Sequence, residues 1–363
     1  MRNACIILKT EKTKLSKSDF ANFDDFTASG YYLEEIRVLF YADGNALQSA
    51  VKQLKTEYDN ILLIAYGVPV LKIKSALIGI YSETDFQGNE NGVGIFSKDN
   101  QSLCVISEKD RAYVKEVYLP FLQRKSGIRL AKTVIRSVGA SAERVQSLLA
   151  TASNLAQGKI LFSHTRRYDE DIIEIVYGDG VSKFLIDDVI RIFADGLGDT
   201  LYALDDTTLE EQLVQLLKLR GKKISVAESF TGGGIARRIT SVSGASEVYF
   251  EGLNTYHENA KIKRLGVSEY TLGTVGAVSD QTAYEMATGL LATGDCDICI
   301  ATTGIAGPKS DKSMLPVGLC YIAVGTKERV FVYRYKFDGT REDITETAIN
   351  YALHLAYKQL KNM

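Results

Sequence analysis

Three polar loops in the last third of the chain hold the residues whose types and spacing could do chemistry. The first is Ala227-Glu228-Ser229-Phe230-Thr231-Gly232-Gly233-Gly234, placed after the strand-like KISVAES (223–229) and before the helix-like IARRIT. Glycines at a strand-to-helix turn let a ligand approach the backbone and expose amide donors at a helix start. A serine there can be a nucleophile, although the order is not the G-x-S-x-G elbow. A plain Ser/Thr cap before a glycine turn uses the same residues. The second loop is Asn254-Thr255-Tyr256-His257-Glu258-Asn259-Ala260-Lys261, with Tyr256 and Lys261 five apart. A lysine near a serine and partly out of water can lose its proton and activate the hydroxyl. Read alone, it is equally a surface lysine, and His257 is a lone histidine. The third loop, Thr302-Thr303-Gly304-Ile305-Ala306-Gly307-Pro308, ends the apolar run CDICIA and is followed by Pro316-Val317-Gly318. Open α/β sheets place ligands at such strand ends. GIAGPKS has the look of a P-loop, but Pro308 stands where a glycine must precede the Lys-Ser pair, which excludes a nucleoside triphosphate cradle.

Composition narrows the classes of partner. Lys+Arg 43 against Asp+Glu 45 leaves a net charge of −2, so no bulk positive field exists to hold a nucleic-acid backbone or an anionic membrane. The three histidines, His164, His257 and His354, lie too far apart to suggest a histidine metal centre. Five cysteines, an odd number in a chain of 363 residues, read as free, mostly buried thiols in a reducing compartment. Residues 1–10 lack the pattern of a secretory signal, and no apolar run reaches the roughly 18 residues of a membrane span. The expectation is a cytoplasmic protein with no membrane and no nucleic-acid partner.

The elements that must position the loops follow from periodicity. ACIILK (4–9), IRVLFYA (36–42) and NILLIAYG (60–67) read as strands, and ALQSAVKQLKTEY (46–58) as the helix of a parallel β-α-β unit. VGIF (93–96) and SLCVIS (102–107) form a hairpin, and Pro120 interrupts a helix over 110–124. From about 128 the order becomes β-α-β-β-α, a small split α+β unit. Arg166 and Arg167 invite a nucleic-acid reading there, but no GXXG loop joins two helices. Thr207 caps a helix that ends at Gly221. Strands over 223–229, 296–304, 317–325 and 330–337, a helix around 279–293 and a closing helix over 341–362 then build a three-layer α/β domain.

Several stretches, in this order, resemble one family. AESFTGG, GASEVYFEGLNTYHENAKIKRLGV, TVGAVSDQTAYEMATG, TTGIAGP with PVG, and FDGTRE are similar to the C-terminal domain of the competence/damage-inducible protein CinA family. Those domains are nicotinamide mononucleotide deamidases of the PncC type, and the resemblance covers about residues 205–363. It implies hydrolysis of a carboxamide without metal or cofactor, by an enzyme that acts as a homodimer. Ser229 matches the family's nucleophile, Lys261 its base, Tyr256 its accompanying tyrosine and Thr303 the Ser/Thr before GIAG. Thr231, Gly232, Gly233, Gly304 and Gly307 are implied on the substrate, and Arg341 on its phosphate.

The preceding chain resembles the long form of the same family. Where that form carries GTE-x-L-x-G, GG-x-G-x-T-x-DD and PGPP-x-E, this chain reads KTEKTKLSK (9–17), AYGVPVLKIK (65–74) and SEKDRAYVKE (107–116). The paired aspartates and most loop glycines are absent. The metal site, and the ADP-ribose pyrophosphatase activity it implies, are therefore expected to be lost while the strands persist. RSVGASAERV (136–145) resembles the opening of the family's connecting domain. The expected architecture is α/β throughout. It has a degenerate three-layer molybdopterin-binding-like domain at 1–126, a small KH-like α+β domain at 127–203 and the three-layer α/β CinA C-terminal domain at 204–363. The competing reading is a catalytically silent nucleotide-binding scaffold or regulator of the same fold. A role in DNA uptake or repair gains nothing from the charge balance.

Overall fold

The computed structural model describes residues 1–10, 14, 23, 26–27, 29–309 and 314–363. These fall into two compact units. One comprises Met1–Lys132, Lys159–Leu161 and Val176–Ser182, and the other Thr133–Gly158, Phe162–Ile175 and Lys183–Met363.

The first unit is built on a six-stranded sheet, with strands β1 (Asn3–Lys9), β2 (Glu35–Phe40), β3 (Asn60–Tyr66), β4 (Phe86–Gly88), β5 (Gly94–Lys98) and β6 (Gln101–Ser107) in the order β2-β1-β3-β6-β5-β4. β1 and β3 are buried nearly throughout, as continuous apolar runs in the middle of a parallel sheet must be. Helix α1 (Gly44–Leu54) connects β2 to β3, capped by Asp43 and burying Leu47, Val51 and Leu54. Its partner α2 (Val70–Leu77) starts directly after Pro69, so the 65–74 stretch forms a strand end and a helix rather than a glycine loop. The hairpin between β5 and β6 turns on Asp99 and Asn100, both at positive φ, as a two-residue hairpin requires. The 110–124 helix is not broken at Pro120, which instead sits in the first turn of α3 (Leu119–Ser126). The preceding Val114–Tyr118 turn is π-helical, with the Leu119 amide bonded to the Val114 carbonyl. This wider turn accommodates the proline ring, which would otherwise meet a carbonyl of the preceding turn. Most of the 9–17 stretch lies outside the described residues.

A four-stranded sheet follows, in the order β10-β7-β9-β8, from β7 (Leu130–Val138), β8 (Ile160–Arg167), β9 (Glu170–Gly178) and β10 (Leu201–Ala203). Helices α4 (Ala142–Ala156) and α5 (Lys183–Leu197) pack on each other. The β-α-β-β-α order is as expected; β10, antiparallel to β7, has no pattern signal because it is three residues long. Fully buried Asp171 is neutralised by Arg166 at 2.9 Å and bonded to His164 at 2.8 Å, so this histidine and one of the two arginines serve the sheet. Residues 133–158, 162–175 and 183–203 share a compact unit with 204–363 for a visible reason. At the β8–β9 turn, the Tyr168 carbonyl accepts from Asn350 at 2.9 Å and the Asp169 carboxylate accepts from Tyr351 at 3.3 Å. Arg136 also pairs with Asp206.

The last sheet has the order β12-β11-β13-β14-β15. Its chain path is α6 (Leu209–Arg220), β11 (Ile224–Glu228), α7 (Gly234–Thr240), β12 (Tyr249–Asn254), α8 (Glu258–Leu265), α9 (Glu269–Thr274), α10 (Asp280–Ala292), β13 (Ile298–Gly304), β14 (Leu319–Thr326), β15 (Val330–Lys336) and α11 (Arg341–Lys361). The cap of α6 is Thr208, not Thr207, because a capping box with Glu211 needs the three-residue spacing. Gly221 stops the helix at φ 60°. β11, β12 and β13 are parallel, whereas β14 and β15 run antiparallel. Alternation sends Ile224, Val226, Ile298, Ile300, Ile322 and Val324 to a core shared with α6, α7 and α11. The small Ala227, Cys299, Ala301 and Ala323 face α10 on the opposite side. The result is three layers, with all five cysteines free and buried. Among the described residues no helix is long and apolar enough to cross a membrane, and no group of three or more His, Cys, Asp or Glu could hold a metal ion.

Gly289 on α10 sets how closely α8 can lie. A Cβ there would stand 2.0 Å from the Leu265 carbonyl oxygen at the end of α8, a backbone atom that cannot turn aside. Gly289→Ala is expected to destabilise the unit by about 1–3 kcal/mol and to displace the helix that carries Lys261. Thermal denaturation of the variant beside wild type measures this, and an unchanged melting temperature would count against the close approach.

Candidate active site

The parallel strands β11 and β12 end level with each other, Glu228 being in register with both Asn254 and Thr302, and β13 runs two residues further to Gly304. The loops that leave these strands therefore meet at one end of the sheet, where open α/β sheets bind ligands. They enclose a cavity of about 270 Å³ lined by Ser229, Phe230, Tyr256, Glu258, Lys261, Ala277, Val278, Thr303, Gly304, Ile305, Ala306, Gly307, Lys309 and Arg341.

At its floor Lys261, 1% exposed, donates from Nζ to the Ser229 hydroxyl at 2.9 Å and to the Thr255 carbonyl at 2.7 Å. Helix α8 carries the lysine inward because its outer face is charged while Lys261 and Leu265, one turn apart, are buried. Burial pulls the Lys261 ammonium down to about 8, against the opposing field of Glu258. Ser229 is 8% exposed, and its own amide is bonded to the Thr302 carbonyl at 3.1 Å. A serine hydroxyl beside an amine that releases its proton near neutral pH can attack a carbonyl carbon.

Glu228 is the residue that sequence reasoning overlooked. Its carboxylate, 1% exposed, accepts from the amides of Gly233 at 3.0 Å, Ile235 at 3.1 Å and Ala236 at 2.8 Å. The start of α7 thus already holds an anion, the protein's own. The amides of Gly233, Ile235 and Ala236 are thereby taken up within the protein. Gly232 donates to the Ser229 carbonyl at 3.0 Å, and the Thr231 hydroxyl meets that of Thr302 at 2.8 Å. Thr231, Gly232 and Gly233 stand outside the cavity lining and hold the turn, with φ of 64° and 94° at the two glycines. The signal was an acid at the strand end just before a Ser-x-Thr-Gly-Gly turn, a position from which a carboxylate reaches helix amides.

The remaining candidates divide by location. Thr303 lines the cavity and donates to the Ala277 carbonyl at 2.5 Å, leaving its oxygen lone pairs for a ligand. Gly304 and Gly307 line it too, each with a packing reason. A Cβ at Gly304 would lie 2.6 Å from that of Cys320, and one at Gly307 would lie 2.7 Å from Val317. Arg341, the first residue of α11, donates to the Gly307 carbonyl at 2.7 Å and to the Tyr256 hydroxyl at 3.0 Å. Tyr256, 60% exposed, therefore places its hydroxyl on Arg341 rather than on the Ser229–Lys261 pair. His257 caps α8, its Nδ1 accepting from the Asn259 amide at 3.1 Å. Glu258 and Lys309, not singled out beforehand, complete the charged wall.

The depressed Lys261 value makes a stability prediction. From about pH 8 up to the ordinary lysine value of 10.5, the unfolded chain holds a proton that the folded one has released. Stability should therefore gain as pH rises through that window, by roughly 1–3 kcal/mol in full. Lys261→Met should lack this gain. Urea denaturation of both proteins between pH 7.5 and 10 measures it, and parallel pH profiles would contradict the assignment.

Residues 206–360 match the CinA C-terminal domain family. A competence-damage inducible protein of Caldicellulosiruptor saccharolyticus is 38% identical over 250 residues, which are 68% of this chain and 61% of that one. Its counterpart in Caldicellulosiruptor bescii is 33% identical over 281 residues, 75% of this chain and 68% of that one. A crystal structure of a CinA superfamily protein from Klebsiella pneumoniae, 30% identical, covers 43% of this chain and 97% of its own with a TM-score of 0.42. The chain spans about three fifths of the length of the first of these relatives. With more than two thirds of the second relative matched at 33% identity, the chain belongs to the competence/damage-inducible CinA family.

Proposed function

We propose that residues 204–363 remove ammonia from the carboxamide of nicotinamide mononucleotide, giving nicotinate mononucleotide, with Ser229 as nucleophile and Lys261 as base. The observation that carries this reading is the buried contact of 2.9 Å between Lys261 Nζ and Ser229 Oγ, with the ammonium lowered to about 8. The neutral amine accepts the hydroxyl proton as Oγ bonds to the carboxamide carbon. The resulting ammonium returns that proton to the leaving nitrogen as the C–N bond breaks, and ammonia departs from an acyl-serine. Water then attacks the ester, again deprotonated by Lys261, and the carboxylate leaves as the serine regains its proton. Arg341 and Lys309 are the cationic side chains of the wall besides Lys261 and would take the phosphate, since Glu228 already fills the start of α7. Thr303 would accept from the carboxamide nitrogen. The reading needs neither metal nor cofactor, and it includes the homodimer and the cytoplasmic setting implied by the family. A silent nucleotide-binding scaffold has no use for a nucleophile hydrogen-bonded to a base of lowered basicity.

The test is ammonia release from nicotinamide mononucleotide by the purified chain. Ser229→Ala and Lys261→Ala should each lower turnover by about 10³-fold or more, and the double variant should lose little further, because the pair acts as one unit. Lys261→Arg should fail almost as badly, since a guanidinium keeps its proton near neutral pH. Wild-type turnover should rise with pH towards a plateau above about 8. A Lys261→Arg protein with near wild-type turnover would remove the base assignment.

We also read residues 1–126 as the degenerate molybdopterin-binding-like domain and 127–203 as the KH-like connector. The support for the first is that the 65–74 stretch runs from β3 into α2 with no pair of aspartates. The full chain carrying Ser229→Ala is therefore expected to form no AMP from ADP-ribose with magnesium or manganese. AMP appearing at a catalytic rate would overturn this part.

A further inference from the structure

Four charged side chains line the cavity, and three of them, Lys261, Lys309 and Arg341, are cationic. Glu258 is the one carboxylate among the described residues of that lining. It stands in the first turn of α8, three residues before Lys261, and that spacing puts both on the same helix face. Its field already reaches the reacting end of the cavity, where it favours the Lys261 ammonium against burial. A first-turn acid would be sufficiently explained by the helix dipole if it faced only solvent, but this one, though exposed, also forms part of the cavity wall.

We infer that Glu258 selects carboxamides borne on a positively charged ring. This rests on the deamidase reading and adds to it the feature by which the site would tell its substrate from neutral relatives. In nicotinamide mononucleotide the ring nitrogen is bonded to ribose, so the ring that carries the carboxamide is a pyridinium cation. A cavity whose other charges are all positive would repel that ring as it approached Ser229. A carboxylate one helical turn from Lys261 offsets the repulsion at the ring end, while Arg341 and Lys309 remain for the phosphate. Free nicotinamide, and the mononucleotide with its ring reduced to the dihydropyridine, are neutral at the ring and gain nothing from it. The charge order along the wall thus matches a ligand that is cationic at the reacting end and anionic at the other.

The test compares two ligands that differ in ring charge and share ribose and phosphate, using Ser229→Ala so that nothing turns over. Dissociation constants of nicotinamide mononucleotide and its dihydro form are measured by calorimetry with the full chain, with and without Glu258→Gln. Glu258→Gln should weaken the cationic ligand about five- to tenfold, the size of one partly solvated charge pair, and the neutral one less than twofold. Glu258→Lys should widen the difference further. An effect through folding acts on both ligands alike and cancels in the ratio, and measurement near pH 6, well below the Lys261 value of about 8, keeps Lys261 protonated in both proteins so that its charge does not differ between them. Equal weakening of both ligands, or of neither, would overturn the inference while leaving the deamidase reading intact. A Ser229→Ala protein that binds neither nucleotide, together with a wild type that releases no ammonia, would overturn the deamidase reading and this inference with it.

Discussion

A lysine ammonium held out of water needs acceptors for its protons, and the site is organised around meeting that need for Lys261. The Thr255 carbonyl and the Ser229 hydroxyl receive two of them, one at the end of β12 and the other at the end of β11. They are available together because the two strands are parallel and in register. Were β12 antiparallel to β11, the Asn254–Lys261 loop would leave the sheet at its other end. The same burial that demands the acceptors makes the proton easy to release. One constraint thus sets both the geometry and the basicity of the pair.

Glu228 performs the matching task on the other side of the serine. A helix start with unbonded amides attracts any anion, and here the residue before Ser229 supplies one internally. Ser229 is then fixed between a strand end and a turn whose three glycine amides are bonded within the protein, with its own amide tied to Thr302. The consequence is a division of labour. Backbone amides hold the turn of Ser229, and side chains of the third loop and of α11 line the cavity.

Helix α11 links this site to the small sheet. Its first residue, Arg341, bridges Tyr256 and Gly307 at the cavity, and its next residue, Glu342, accepts from the Tyr168 hydroxyl at the β8–β9 turn at 2.8 Å. Asn350 and Tyr351 bind the same turn further along. The β8–β9 turn is therefore braced against the helix that presents Arg341.

Much of this was legible in the chain. Continuous apolar runs in β3 and β13, the 3.6-residue period of α1 and the closing helix identify themselves, because burial on one face or two leaves a periodic trace. The three loops could be picked out by residue type, and Ser229 and Lys261, which the structure brings within 2.9 Å, were among the residues singled out in them. What residue type alone left open was direction. Tyr256 and Lys261 sit on one short segment, yet one hydroxyl turns out to Arg341 and one amine turns in to Ser229, because α8 begins between them. The glycine turn carries the composition of an anion site, but a buried carboxylate placed there by the β11 strand end already occupies it. Sequence determines which groups are present and which faces are buried. Which donor meets which acceptor depends on strand register and helix entry, and those are set by packing among segments far apart in the chain.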